Sequence, residues 1–460
     1  MKAQRKNALA WSDSEMTQEA TTDKKTRVLI VPAFSGVGIE ITSALVSIPW
    51  IYTIGVSMPA GGNPELFDEF RSMEGKLDCP AGILEFTKII EDTCPAYIFG
   101  AHDAVLAALA REISNTRHNK TQPLLHGAQL CGPLPGPMIL CRSKRSTLRA
   151  LAGHVPCPAI YELDDIQPQQ LKLEPLFIKP NIGQGAQNAT VVRSITELAA
   201  ALDRIGPQDD ALITEYLPGQ EVSVDCFSNT ASRVVFAQPR YRLRTARGIS
   251  THTQLCEPDM WPLFQSHASA ISSALGMSGA WFFQMKQNAA GVYALLEVGA
   301  RIAGGSALAR ARGVNLPYWD LQQKIHGSVP DLQKYASAMP MQMWRVEHTQ
   351  FSIDTQNYDL AVIDADPFNG LGQLPDMLRN LWTSFVPTRA GYMTSEQTIP
   401  TWLSEQLQII TPGQPPGPRM PPLAGKRILF LTPLQPQETD IVSGVDWITP
   451  DRYVSIGHIV

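Results

Sequence analysis

The chain has no run of about 18 apolar residues, so no membrane-spanning helix is expected. It has no CxxC pair: the seven cysteines (Cys79, Cys94, Cys131, Cys141, Cys157, Cys226, Cys256) are odd in number and scattered. That pattern argues against a disulfide framework and fits structural thiols in a reducing, cytoplasmic compartment. There is no excess of basic residues; the net charge of −5 leaves no general cationic surface for nucleic acid, and any anion site must come from local clusters of Arg and Lys. A GxxxxGK[ST] phosphate loop and a full GxGxxG are both missing. No Ser/His/Asp triad spacing is visible, and nothing nominates one of the cysteines as a nucleophile. Residues 1–26 are polar, mixed in charge and without the apolar core of a signal peptide; they read as a disordered leader.

What remains is an ordinary globular composition, 44% hydrophobic and 18% charged over 460 residues, enough for about three domains. Residues 27–32, RVLIVP, suit a strand buried on both faces. Phe34-Ser35-Gly36-Val37-Gly38 and a helix-like segment follow, which begins a Rossmann-like unit. A second unit ends in AYIFG (96–100) and leads into His102, Asp103 and an Ala-rich helix. Asp103 either caps that helix or meets a ligand at the strand's edge, and capping is the preferred reading. Ser143 is a candidate N-cap for a helix carrying Lys144.

Residues 175–196, PLFIKPNIGQGAQNATVVRSIT, read as two strands around a glycine loop, Gly183 and Gly185, with Lys179 closing the first strand. Such a loop either folds over phosphates with its backbone N–H groups or is a plain hairpin turn. Ser194 and Glu197 form a capping-box pattern before the next helix. In ALITEYLPGQEVSVDCFS (211–228) two strands flank Pro218-Gly219, with Glu215 and Glu221 at its shoulders. Arg240, Arg242 and Arg244 alternate along the following strand. Three guanidinium groups on one strand face repel unless screened, so either an anion site or a solvated edge results, and the anion site is preferred.

The stretch 281–306, WFFQMKQNAAGVYALLEVGARIAGGS, reads as a hairpin with its turn at 288–291. Antiparallel pairing would put Gln284 and Glu297 side by side. Two oxygen ligands there suit Mg²⁺ in company with nucleotide phosphates. Arg301 follows as a bidentate partner for phosphate or carboxylate; the plainer alternative is a structural hairpin.

Taken in order, Lys144, KPNIGQGA with Lys179, EYLPGQEVSVD, and Gln284 with EVGAR resemble the ATP-grasp superfamily. The resemblance is to the branch of carbamoyl-phosphate synthase large-subunit domains and amino-acid ligases, and it covers roughly residues 27–330. It implies an α/β and α+β chain: a Rossmann-like pre-ATP-grasp domain at 27–125, a two-lobed ATP-grasp domain at 126–330, and a smaller C-terminal α/β region at 331–460. It also implies an ATP-dependent carboxylate–amine ligase working through an acyl phosphate on amino acids or similar small metabolites. The alternatives are a carboxylase-type enzyme or a non-catalytic ATP-binding relative. Residue by residue, the resemblance assigns Lys144 and Lys179 to the phosphates and Gly183 and Gly185 to the closing loop. Glu215 and Leu217 go to the adenine-contacting hinge, Glu221 to the ribose, and Gly248 and Ile249 to the cleft wall. Gln284 and Glu297 would ligate Mg²⁺ (or Mn²⁺), Arg301 would touch the γ-phosphate or acyl phosphate, and Arg240 or Arg242 would orient the carboxylate. Partners would be small carboxylates and amines, with a homodimer left open. One departure matters: the family reads E-x-N-x-R where this chain has Glu297-Val298-Gly299-Ala300-Arg301, so an amide ligand is missing and Asn at 299 would restore it.

Past residue 330 the texture changes. Residues 358–366 end in Asp364-Ala365-Asp366 and faintly resemble the first motif of haloacid-dehalogenase-type phosphohydrolases, with GYMTS (391–395) as a second. A strand ended by solvent-facing acids is the preferred reading. Residues 411–425 are a Pro-rich linker, and the tail 426–460 holds one good strand.

Overall fold

The computed structural model describes residues 25–46, 48–58, 62–119, 125–183, 185–206, 211–246, 248–337 and 340–345. It also describes five strands beyond them: 360–364, 390–393, 408–410, 428–431 and 445–448. The chain forms two compact units, 1–345 and 346–460.

The first unit opens with a parallel sheet, β1 (Thr26–Val31), β2 (Ile51–Ser57), β3 (Glu69–Ser72), β4 (Tyr97–Gly100) and β5 (Gln129–Leu130), in the order β3-β2-β1-β4-β5. Leu29 and Ile30, which point to opposite faces, are both fully buried, as expected of a strand covered by helices on each side. Strand order reverses between β1 and β4, and ligands gather at the carboxyl edge of such a switch point. Helix α1 (Gly36–Leu45) leaves β1 there, capped by Ser35, whose Oγ accepts from the Gly38 amide at 2.9 Å. Helix α2 (Asp103–Asn119) leaves β4 at the same edge. Its cap differs from the sequence expectation: His102 Nδ1 accepts from the Ala104 amide at 3.2 Å, and the Asp103 carboxylate is engaged elsewhere.

Two antiparallel sheets follow. The smaller has the order β6-β9-β7-β8, built from β6 (Ile160–Tyr161), β7 (Leu176–Pro180), β8 (Thr190–Val192) and β9 (Ala211–Glu215). The larger has the order β14-β13-β10-β11-β12-β15. Its strands are β10 (Glu221–Ser228), β11 (Val234–Ala246), β12 (Ile249–Leu255), β13 (Gly279–Gln287), β14 (Tyr293–Gly299) and β15 (Gln342–Trp344). The strands flanking Pro218-Gly219 therefore do not pair with each other; the segment carries the chain from one sheet to the other. The last strand, β15, extends the larger sheet past residue 330 by pairing with β12.

Short helices set the site's edges. Ser143 caps α3 (Lys144–Leu151), its Oγ accepting from Ser146. Ser194 caps α4 (Ile195–Ile205); Glu197 accepts from the Arg193 amide at 2.7 Å, one residue upstream of the expected box. No described helix is long and apolar enough to cross a membrane.

The second unit holds a parallel sheet of β16 (Leu360–Asp364), β17 (Ala390–Met393), β18 (Gln408–Ile410), β19 (Ile428–Leu431) and β20 (Val445–Ile448), ordered β18-β17-β16-β19-β20. Counted from its own first strand, this is the order of the first unit's parallel sheet. Asp364 ends β16; Asp366, residues 394–395, the segment 411–425 and the leader through residue 24 lie outside the described residues.

Candidate active site

Side chains that alternate along β10, β11, β13 and β14 put one polar row across the larger sheet. Glu297 lies opposite Gln284 in the β13–β14 hairpin, as the sequence pattern anticipates. Gln284 lies opposite Ser223, and Ser223 opposite Arg240. All four line one cavity, of about 280 Å³, whose other walls come from Ser35–Val37, Ala101–Asp103, Arg142 and residues 303–305. A second cavity, of about 220 Å³, is lined by Phe177, Lys179, Glu215, Tyr216, Leu217, Glu221 and Lys286. Lys144, Gly183, Gly185, Arg242, Gly248, Gln284 and Glu297 line both. The expected residues thus converge, with Ile249, Arg240 and Arg301 on the first cavity only.

The glycine loop closes against the larger sheet. Gly185 and Gly248 both have positive φ (66° and 75°), and a Cβ at 248 would lie 2.5 Å from the Gly185 Cα. Only glycine permits both the backbone angle and the approach. Lys144 Nζ donates to the Gly183 carbonyl at 2.8 Å. Lys179 is buried, and its Nζ donates to the Leu296 carbonyl at 3.2 Å. Burial pushes the Lys179 ammonium down to about 8, against the pull of Glu297, with Lys144 adding repulsion. Burial also lowers Lys144, again opposed by Glu297. The buried Lys179 and the half-buried Lys144 share Glu297, with Glu221 acting on Lys179 and Asp103 on Lys144; since Glu221 and Asp103 are themselves paired with arginines, the arrangement suits polyphosphate.

The three nominated arginines each have a carboxylate of their own. Arg240, only 2% exposed, is gripped by the fully buried Asp225 at 2.7 and 3.2 Å. Arg242 meets Glu221 at 2.6 Å. Arg301 binds both Asp103 oxygens at 2.9 Å, tying the parallel sheet's edge to the hairpin. Burial works to raise the Asp103 carboxyl, yet the Arg301 guanidinium outweighs it and holds the group below its ordinary value. Of the three alternating arginines on β11, Arg240 and Arg242 are thus each met by an acid on β10, while Arg244 is exposed. Glu221 is correspondingly shared between Arg242 and the second cavity. Sequence reading passed over Asp225 and Ser223; the alternation Glu221-x-Ser223-x-Asp225 beside Arg240-x-Arg242 was the available signal.

Phe282 was also missed as a site residue. Its ring fills the space beside Gly299: a Cβ there would lie 2.1 Å from Phe282 Cε1, and the Arg301 guanidinium lies over the ring at 5.1 Å. The expectation that Asn at 299 would restore a ligand is therefore corrected, because an aromatic ring stands where the amide would go. We expect Gly299→Asn to cost about 1–3 kcal/mol by overpacking, seen as a lowered denaturation midpoint. Made in a Phe282→Ala background, the same substitution should cost far less than in wild type; an unchanged midpoint in the single variant would contradict this.

The donor set fits one divalent cation. Glu297 offers a carboxylate and Gln284 an amide oxygen, and Mg²⁺ takes a few such oxygens plus phosphates and water. Among the described residues no cluster of three or more acidic, His or Cys side chains could hold a metal alone.

Residues 208–349 match the family model described as ATP-grasp in the biosynthetic pathway with Ter operon. That span contains the polar row, the hairpin and the inter-sheet segment. The chain has the ATP-grasp fold. The biotin carboxylase domain of Hydrogenobacter thermophilus 2-oxoglutarate carboxylase, solved with MgADP, ADP and bicarbonate, superposes with a TM-score of 0.57 at 12% identity, over 69% of this chain and 73% of that one. An L-amino acid ligase from Bacillus licheniformis gives 0.51 at 17% identity, over 66% and 75%. N5-carboxyaminoimidazole synthetase from Staphylococcus aureus gives 0.51 at 12% identity, over 67% and 78%. No curated protein sequence matches the chain. Within this ATP-grasp frame, the smaller sheet with the glycine loop forms one lobe and the larger sheet the other.

Proposed function

We propose that the protein is an ATP-dependent carboxylate–amine ligase acting on small metabolites. The observation that carries this reading is the pair of adjoining cavities with Lys144, Gln284 and Glu297 as their common wall. The second cavity, with Lys179 at its floor and Glu215, Tyr216 and Leu217 at the inter-sheet segment, takes the nucleotide. The first takes the acyl donor. The γ-phosphoryl group would then reach the donor at the shared wall.

The chemistry follows from that placement. A carboxylate oxygen attacks the γ-phosphorus, the bond to the bridging oxygen breaks, and ADP leaves. The amine then attacks the acyl carbon, phosphate departs carrying the former carboxylate oxygen, and the amine nitrogen gives up a proton. Lys144 and Lys179 offset the charge spread over the transferring group. Glu297 and Gln284 would hold Mg²⁺, which supplies Lewis-acid neutralisation of the phosphate oxygens when bound. The glycine loop, packed on Gly248, keeps water from the acyl phosphate. Asp103 holds Arg301 in place at the site's edge, as a positioning residue.

The carboxylase domain among the similar folds supports one alternative, in which bicarbonate is the phosphoryl acceptor. The reduced ligand set at Gly299 supports another, a nucleotide-binding protein without turnover. Phosphate release measured across acids, with and without amines and with bicarbonate alone, separates the three. A ligase requires both acid and amine for full turnover, a carboxylase is stimulated by bicarbonate, and a regulatory protein releases no phosphate under any condition.

A further inference from the structure

Five cationic side chains line the first cavity: Arg142, Lys144, Arg240, Arg242 and Arg301. Three are neutralised by Asp225, Glu221 and Asp103, and Lys144 also belongs to the nucleotide cavity. Arg142 alone of the five lines only the first cavity and has no ion pair among the described residues. Its charge is felt at Asp103, His102 and Lys144, which places it between the parallel sheet's edge and the shared wall. In the same cavity, Ser223 is 1% exposed and its Oγ has no hydrogen-bond partner among the described residues. A buried hydroxyl left unpaired costs about 1–3 kcal/mol, and a ligand oxygen would satisfy it.

The negative side of the cavity is as telling. Among the described residues its lining carboxylates are Asp103 and Glu297. Both Asp103 oxygens are taken by Arg301, and Glu297 stands on the wall shared with the nucleotide. Among the described residues this leaves Glu297 as the one unpaired lining carboxylate, and it is assigned to Mg²⁺ at the shared wall, while Arg142 would repel an ammonium group. We propose, resting on the ligase reading above, that Arg142 and Ser223 form the acyl-donor subsite and that it takes a carboxylate whose α-carbon carries no ammonium. This narrows the amino acids or similar small metabolites expected from sequence: the donor is a hydroxy acid, a dicarboxylic acid or an N-acylated acid. Arg142 grips the carboxylate, and Ser223 Oγ donates to it or to a neighbouring oxygen.

Calorimetric titration of the full chain, saturated with Mg²⁺ and a non-hydrolysable ATP analogue, tests this with matched pairs: lactate against alanine and succinate against aspartate. In each pair the acid without ammonium should bind at least about tenfold more tightly, the factor expected of one unpaired charge. Arg142→Ala should weaken that acid by about 10- to 100-fold, Arg142→Lys should recover part, and neither should change affinity for the ATP analogue. Equal or tighter binding of the amino acids, unchanged acid affinity in Arg142→Ala, or binding of neither member of any pair overturns the subsite. A chain that fails to bind the ATP analogue overturns the ligase reading together with it.

Discussion

Glu297→Gln is expected to reduce ADP formation by on the order of a thousandfold, the loss typical when a preorganised electrostatic group at a charged transition state is removed. The reason lies in the count of donors. Glu297 is the single carboxylate of the β13–β14 hairpin that lines both cavities, Gln284 beside it is neutral, and Phe282 closes the position at 299. Nothing nearby can take over. Nucleotide affinity should fall by less, about tenfold or under, because Lys144, Lys179 and the inter-sheet segment remain. The Mg²⁺ dependence of ADP formation checks it: the variant should need far more Mg²⁺ and reach a far lower plateau. Full activity would make the hairpin structural only.

Lys179→Met should weaken ATP binding by about 10- to 100-fold, the worth of a charge-assisted hydrogen bond in a buried place. The pH dependence is the more specific part. The free protein's Lys179 ammonium sits at about 8, lowered by burial, and bound phosphate must raise it. Between the free and bound values, binding takes up a proton, so affinity should fall toward about tenfold per pH unit above pH 8. Below that pH the group is already protonated and affinity should level off. In Lys179→Met this slope should vanish. Because Glu297 raises the Lys179 value, Glu297→Gln should move the onset of the slope to lower pH. Equilibrium titration of a fluorescent ATP analogue between roughly pH 6.5 and roughly pH 9.5 reads both effects. An identical slope in Lys179→Met would assign the proton to another group.

The fold was legible where period and punctuation agreed. A doubly buried run ending at Pro32, a glycine turn and a helix gave the parallel sheet's first unit. That Gln284 and Glu297 share a face was legible from strand alternation, but their direct pairing was not: counted from the turn at 288–291 Gln284 would oppose Leu296, and a register shift between Gln284 and Met285 brings Glu297 opposite it. The pairing of the arginines was not legible in the same way. Arg240 and Arg242 lie on β11 and their acids on β10, and only the register between those strands decides whether like charges face a ligand or their own counter-ions. Asp103 and Arg301 are 198 residues apart, so no local pattern could join them. The consequence of Gly299 was invisible for a related reason: the missing Cβ is explained by Phe282, its cross-strand neighbour, and packing of that kind is a property of the sheet.

The central claim is that a carboxylate is activated by phosphoryl transfer at the shared wall. The most direct measurement uses an acyl donor labelled with ¹⁸O in its carboxylate, incubated with ATP, Mg²⁺ and amine, followed by mass analysis of the released phosphate. An acyl-phosphate route carries one carboxylate oxygen into each phosphate, and we expect that transfer in wild type. Phosphate released without the label would mean that water or bicarbonate, not the acid, accepts the phosphoryl group, and would contradict the assignment.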